Sequence, residues 1–212
     1  VIDDENTARH CDCGAAGERL RAQRLALANL PPRFATKGFR DFEAAGEYRS
    51  ILGTAQAYAE GFGSDTREGM ILRGGTGSGK THLSVAILVR VIERGYTGYF
   101  CNFPTLLENL RSSYNNDGQM TTAELLEPVL TRDLVVIDDL GAETPTAWVL
   151  EKLYLIVNQR YEDAKPLIVT TNHTEGDLQK RLGPRTMSRL YEMCGMEFPP
   201  FPARDWRIAK MR

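Results

Sequence analysis

The spacing of hydrophobic and polar positions changes character several times along the chain. Residues 1–16 are polar and rich in Gly and Ala. From Glu18 to Leu30 the leucines Leu20, Leu27 and Leu30 recur at helical spacing among arginines, and Pro31-Pro32 ends the run. Phe34, Phe39 and Phe42 sit in a connector, and Tyr48 to Gly61 reads as another helix. From Gly69 onward the order is strand, loop, helix, repeated. Met70-Ile71-Leu72 is a short apolar strand, Thr81 to Arg94 a helix with Leu83, Ala86, Ile87 and Val91 inward, and Gly95 its C-cap. Gly98 to Cys101 is a second strand, Thr105 to Tyr114 and Thr122 to Leu130 are helices around an Asn115-Asn116-Asp117-Gly118 turn, and Leu134 to Ile137 is a third strand. Trp148 to Tyr161 is a helix and Leu167-Ile168-Val169 a further central strand. Apolar strands alternating with helices predict an α/β fold, a parallel sheet covered on both faces. A boundary falls near residue 47, giving an N-terminal arm over 1–47 and an α/β domain over 48–212, with no internal repeat.

Bulk properties narrow the class. The 212 residues suffice for one α/β domain with a small appendage, and 42% hydrophobic with 25% charged is ordinary for a soluble protein. The net charge of −2 sets up no global field, but the distribution is uneven. Arg19 to Arg40 holds six basic residues and no acidic one, and Lys180 to Arg212 holds eight basic against three acidic. Solvated surface arginines account for some of these, and the others suit phosphates or an acidic partner. No apolar run approaches the roughly 20 residues a bilayer span needs, and no signal peptide is visible, so no membrane role and a reducing, cytoplasmic setting are expected.

The chemistry begins at Gly74-Gly75-Thr76-Gly77-Ser78-Gly79-Lys80-Thr81, a match to G-x-x-x-x-G-K-[ST] between a predicted strand and a predicted helix. Glycines let successive N–H groups point at phosphates, and the helix aims its positive end at the same place. Lys80 is expected to neutralise phosphate charge and the Thr81 hydroxyl to ligate Mg²⁺, with His82 next along the helix. Across the site a carboxylate must hold the metal. Leu134 to Ile137 runs into Asp138-Asp139, two charges at a buried strand end that are costly without a cation. Asp138 is the metal-side candidate, and Asp139, pointing differently, is placed to polarise the attacking water. Asn172 ends the next strand, where it can orient that water. Arg185 and Arg189 are four apart on a helix and share a face, the arrangement of an arginine presented to a neighbour's γ-phosphate or of a plain surface pair. The expected activity is binding and hydrolysis of a Mg-nucleoside triphosphate, ATP first.

With these motifs the chain resembles AAA+ ATPases of the DnaC/DnaI/IstB group, bacterial helicase loaders and transposition helpers. The resemblance runs from about residue 17 to the end. It rests on Leu30-Pro31-Pro32-Arg33-Phe34, the phosphate loop, Asp138-Asp139-Leu140-Gly141-Ala142-Glu143, Thr170-Thr171-Asn172, Arg185 through Arg189, and Asp205-Trp206-Arg207. It implies a P-loop AAA+ core with a five-stranded parallel sheet. Lys80 and Thr81 are similar to Walker A, Asp138 and Asp139 to Walker B, Asn172 to sensor I, Arg189 to the finger acting in trans, and Arg207 to sensor II. Most AAA+ proteins carry glutamate where this chain has Asp139, whose shorter reach implies slow, switch-like hydrolysis. With 11 residues after Phe201, little or no C-terminal lid is expected, as in this group.

The resemblance extends to partners. An insertion between the second and third strands lines a DNA-gripping channel in initiator-type relatives. There Arg111 and Tyr114 would supply a phosphate contact and a stacking ring, the alternative being plain helix-end packing. Thr144-Pro145-Thr146 with Trp148 is a second candidate DNA-facing element. His10-Cys11-Asp12-Cys13 offers half a zinc site, with Cys11 and Cys13 as ligands. Loaders of the DnaI kind bind zinc in their N-terminal region, and since the chain opens at Val1 the remaining ligands would lie upstream. The expected function is that of a helicase loader placing a DnaB-type replicative helicase on single-stranded DNA, self-associating as a ring or helical oligomer. The alternative is an IstB-like helper that assembles on DNA and recruits a transposase. A small-molecule P-loop kinase would need a substrate lid and acceptor pocket, and neither is visible.

Overall fold

The computed structural model describes residues 13–114, 120–195 and 200–209, without the side chains of 13–15, 207 and 209. Four strands, β1 (Met70–Arg73), β2 (Gly98–Asn102), β3 (Leu134–Asp138) and β4 (Leu167–Thr171), form one parallel sheet in the order β1-β4-β3-β2. Around it lie α1 (Cys13–Leu27), α2 (Tyr48–Gly61), α3 (Lys80–Glu93), α4 (Phe103–Tyr114), α5 (Thr122–Thr131), α6 (Ala147–Glu162), α7 (Glu175–Leu182), α8 (Pro184–Met193) and the short α9 (Trp206–Ala209).

Period-two alternation sorts the strand residues onto two faces. Met70, Leu72, Phe100, Leu134, Val136 and Ile168 join α2 and α3 in one core. Cys101, Val135, Ile137, Leu167 and Val169 join α4 to α8 in the other. Both central strands are buried at every position, as their apolar runs 134–137 and 167–169 require, and the polar residues that follow, Asp138, Thr170 and Thr171, are buried too. Ala28 and Phe42 sit in the first core with the phosphate-loop helix. The outer edge of β2 is covered by the chain just after α1, where Phe100 N donates to Ala28 O at 2.8 Å and Asn29 Nδ2 to Phe100 O at 2.9 Å.

The expected fifth strand does not form: among the described residues the sheet has four. The chain returns to the free edge of β1 at two points, Gly69 N donating to Met193 O at 2.7 Å and Phe201 N to Arg73 O at 2.7 Å. Pro200 and Pro202 flank the second point and bring no N–H, so no ladder extends from it.

Helix starts follow local chemistry. Thr121 and Glu124 make a reciprocal capping box for α5, and the Thr146 and Thr174 hydroxyls cap α6 and α7. The Arg160 guanidinium is fully buried and donates to Val129 O, Arg132 O and Pro166 O, tying the end of α5 to the approaches of β3 and β4. Together these place the carboxyl ends of β1, β3 and β4 side by side, the crevice where parallel sheets bind ligands.

Candidate nucleotide site

The loop from Gly74 to Gly79 joins β1 to α3. Gly77 and Gly79 take φ of 71° and 101°, conformations that side chains disfavour. A Cβ on Gly77 would overlap the Asp205 carboxyl, and one on Gly74 would lie 2.6 Å from Phe201 Cβ, so the C-terminal segment closes directly on the loop. Trp206 N donates to Gly77 O at 3.1 Å, which seats the start of α9 there.

Lys80 is buried, with 5% exposure. Its ammonium donates to Gly74 O, Gly75 O and Asn172 Oδ1, each at 2.8 Å. Thr81 Oγ1 donates to Asp138 Oδ1 at 2.9 Å, and Thr170 Oγ1 donates to the same oxygen at 2.7 Å. Asp138 is 4% exposed, and burial, with Asp139 adding to it, pushes its carboxyl above the usual range despite the two hydroxyl donors. A buried carboxylate beside a hydroxyl is a hard-oxygen pair that suits Mg²⁺. Among the described residues no cluster of three or more His, Cys, Asp or Glu could cage a metal, so the ion would take its other ligands from phosphate and water. Asp139 turns away at φ 57°, with its N–H donating to Thr170 Oγ1 at 3.0 Å. Thr170 therefore holds both acids, a role the sequence reading does not assign it.

A cavity of about 610 Å³ opens over the loop. Thr76 to His82, Asp139 and Asn172 line its phosphate end. Asp138 lies behind Thr81 rather than on the wall. The far wall is Arg33, Phe34, Lys37, Asp41 and Trp206, which the sequence reading does not assign to the site. His82 lies between Phe34 and Phe42, with ring centroids at 6.1 and 5.5 Å, and its Nε2 is 3.2 Å from Gly38 O. The motifs around Phe34 and Trp206 are visible in sequence, but nothing local says that they meet.

The other candidates lie elsewhere. Arg189 is on α8, outside the cavity wall, with its guanidinium donating to Tyr154 OH at 2.7 Å. Arg111 lies over the Trp148 ring at 4.9 Å, and Tyr114 packs edge-on to the same ring at 6.3 Å. Trp148 of one DNA-facing candidate thus packs with Arg111 and Tyr114 of the other, with Tyr114 53% exposed. Arg207 is on α9 but its side chain is outside the described residues, as are His10, Cys11 and the Cys13 side chain of the zinc expectation. Cys101 and Cys194 are buried, their thiols both pushed up to about 12 by burial, so both are packing residues.

Comparison with known proteins points to an ATP-binding family. A family profile described as IstB-like ATP binding protein matches residues 1–190. The replicative helicase loader DnaC of Escherichia coli K12 is 28% identical over 141 residues, 66% of this chain and 57% of that protein. The chain therefore spans little more than half the loader's length. The phage-like element PBSX protein XkdC of Bacillus subtilis 168 is 29% identical over 193 residues, 86% of this chain and 71% of that one. The crystal structure of the DnaC helicase loader superposes with a TM-score of 0.70 at 28% identity, over 77% of this chain and 97% of that one. Among the described residues no helix is long and apolar enough to cross a membrane.

Proposed function

The chain belongs to the IstB-like ATP binding protein family, and on that premise we propose that it is an ATP-hydrolysing helicase loader that places a DnaB-type replicative helicase on single-stranded DNA. The observation that carries the ATPase reading is the convergence of Lys80, Thr81, Asp138 and Asn172 across three strand ends. Likeness to a helicase loader in both sequence and structure supports the loading role.

The loop amides from Gly74 to Gly79 would receive the phosphates, and Lys80, which donates to Gly74 O and Gly75 O, would turn to the phosphate oxygens. Phe34 and Trp206 offer the aromatic end that suits a base. Mg²⁺, when bound, would supply positive charge to the phosphates. Thr81 and Asp138 would hold it, Asp139 would polarise the attacking water, and Asn172, which aims Lys80, would orient that water. Arg189, outside the wall of its own cavity, would serve the γ-phosphate of a neighbouring copy, and self-association would then be part of the chemistry. Arg111, Tyr114 and Trp148 form the contact for single-stranded DNA, a cation beside two rings.

Reconstitution tests the reading: the protein, ATP, a DnaB-type helicase from the same source and circular single-stranded DNA. Helicase transferred to the circle in an ATP-dependent way is the expected result. A second reading, a transposition helper that recruits a transposase, is favoured by the IstB-like family description. Capture of a transposase rather than a helicase from the source cell would decide for it.

A further inference from the structure

We infer that Tyr154 is a positioning residue that presents Arg189 to the neighbouring copy. The inference rests on Arg189 acting across an interface, as proposed above. Tyr154 and Tyr161 lie two turns apart on α6 and so share one face, against which α8 packs. The Arg189 guanidinium lies over the Tyr154 ring at 4.9 Å and over the Tyr161 ring at 5.6 Å, and it donates to Tyr154 OH at 2.7 Å. Tyr161 is itself held, its OH donating to Glu192 Oε1 at 2.9 Å, one turn beyond Arg189 on α8.

A free arginine loses most of its rotamer freedom when it meets a phosphate, and that cost subtracts from catalysis. Here two ring faces and a phenol fix the long side chain beforehand. One of its five N–H donors goes to Tyr154, and the planar group keeps other donors for an incoming anion. Arg189 is half-buried, whereas Arg185, one turn earlier, is exposed and meets no ring among the described residues. Among the described residues Arg189 makes no ion pair, so two rings and a neutral phenol orient the guanidinium without a carboxylate in direct contact with it.

The test is steady-state ATP hydrolysis with single-stranded DNA, at a protein concentration where turnover per chain has levelled off. Tyr154→Ala should lower kcat about tenfold, the scale of losing a cation–π contact and a charge-assisted hydrogen bond. The KM for ATP should stay unchanged, because its own cavity is untouched. Tyr154→Phe keeps the ring and should fall between parent and Tyr154→Ala. Mixed with Lys80→Ala protein, which has an intact finger and an impaired phosphate loop, Tyr154→Ala should regain turnover, since its cavities then meet well-positioned fingers. A folding defect would not be repaired that way. Arg189→Ala, alone and in the same mixture, is the control for the finger itself. If Arg189→Ala is inactive and regained by mixing while Tyr154→Ala matches the parent, the inference fails and the finger stands. If Tyr154→Ala is impaired and stays so in the mixture while Arg189→Ala recovers, Tyr154 is structural and the inference also fails. If Arg189→Ala hydrolyses like the parent, or no mixture recovers, the finger reading itself fails and takes the inference with it.

Discussion

Lys80 Nζ donates to Asn172 Oδ1 at 2.8 Å, so the phosphate-loop lysine is aimed by a side chain from the end of the neighbouring strand. The bond runs between residues on opposite sides of the crevice and links what holds phosphate to what faces the reacting group. The two ends should separate on mutation. Lys80→Ala removes a charge-assisted phosphate contact and should weaken ATP binding by about 2 kcal/mol or more. Asn172→Ala leaves the charge in place and should reduce turnover on the order of tenfold, with ATP affinity little changed. Calorimetric titration beside a hydrolysis assay reads both. Equal losses of affinity in the two variants would mean that Asn172 serves binding alone.

Thr170 makes a second link, donating to Asp138 and accepting from the Asp139 amide. Asp139→Asn keeps Asp138 and should retain nucleotide while turnover falls about a hundredfold or more. Thr170→Val has nearly the same shape but orphans the Asp139 N–H and removes one donor from Asp138. It should cost about 1–3 kcal/mol of stability in denaturant unfolding and raise the Mg²⁺ concentration needed for half-maximal turnover. Unaltered hydrolysis by Asp139→Asn would move the water-activating role to another acid.

The phosphate loop, Asp138 and Asn172 are legible in sequence because each is fixed locally. The loop is contiguous, and the polar residues stand where an apolar run stops. Helix and strand positions are legible for the same reason, since burial imposes its period on neighbours. Thr170 is not, because its two bonds depend on the β3–β4 register, Val136 opposite Ile168, which no local pattern encodes. The cavity wall of Phe34 and Trp206 joins residues from opposite ends of the chain. Helix α7 is only 8 residues long and highly polar, and its two buried leucines, Leu178 and Leu182, span too little chain to establish a period. A fifth strand, implied by the family resemblance alone, does not form among the described residues, and Pro200 and Pro202 beside the Phe201 N–H keep a ladder from growing on β1.

Trp148 carries the next expectation. Arg111 and Tyr114 both rest on its ring, so it is the centre of the proposed DNA contact. Trp148→Ala should weaken single-stranded DNA binding by about 1–3 kcal/mol and leave ATP affinity alone. Arg111→Ala should instead flatten the salt dependence, because one phosphate neutralisation is lost. Fluorescence anisotropy with a labelled oligonucleotide over a salt series distinguishes the two effects. If both variants bind DNA like the parent, the patch is a packing cluster.

Glu143 yields a prediction in pH. Burial pushes its carboxyl above the ordinary value of 4.5, outweighing the backbone N–H donors and the nearby Arg181 and His173. Its Oε2 is buried and has no hydrogen-bond partner among the described residues. As pH rises, the unfolded chain releases this proton first, and the folded chain holds it longer. Between the two pKa values the native state binds more protons, so stability falls as pH increases through that window. The contribution of Glu143 is thus most favourable below pH 4.5 and is lost as pH passes the raised folded value. Glu143→Gln keeps the shape and removes the charge, and its amide oxygen can still accept from the backbone. The variant should melt above the parent at pH 7 to 8, and the gap should close as pH falls toward 4.5. Thermal melts of both proteins across that range measure it. A variant that melts lower at neutral pH would mean that Arg181 and His173 stabilise the carboxylate more than burial penalises it, reversing the sign.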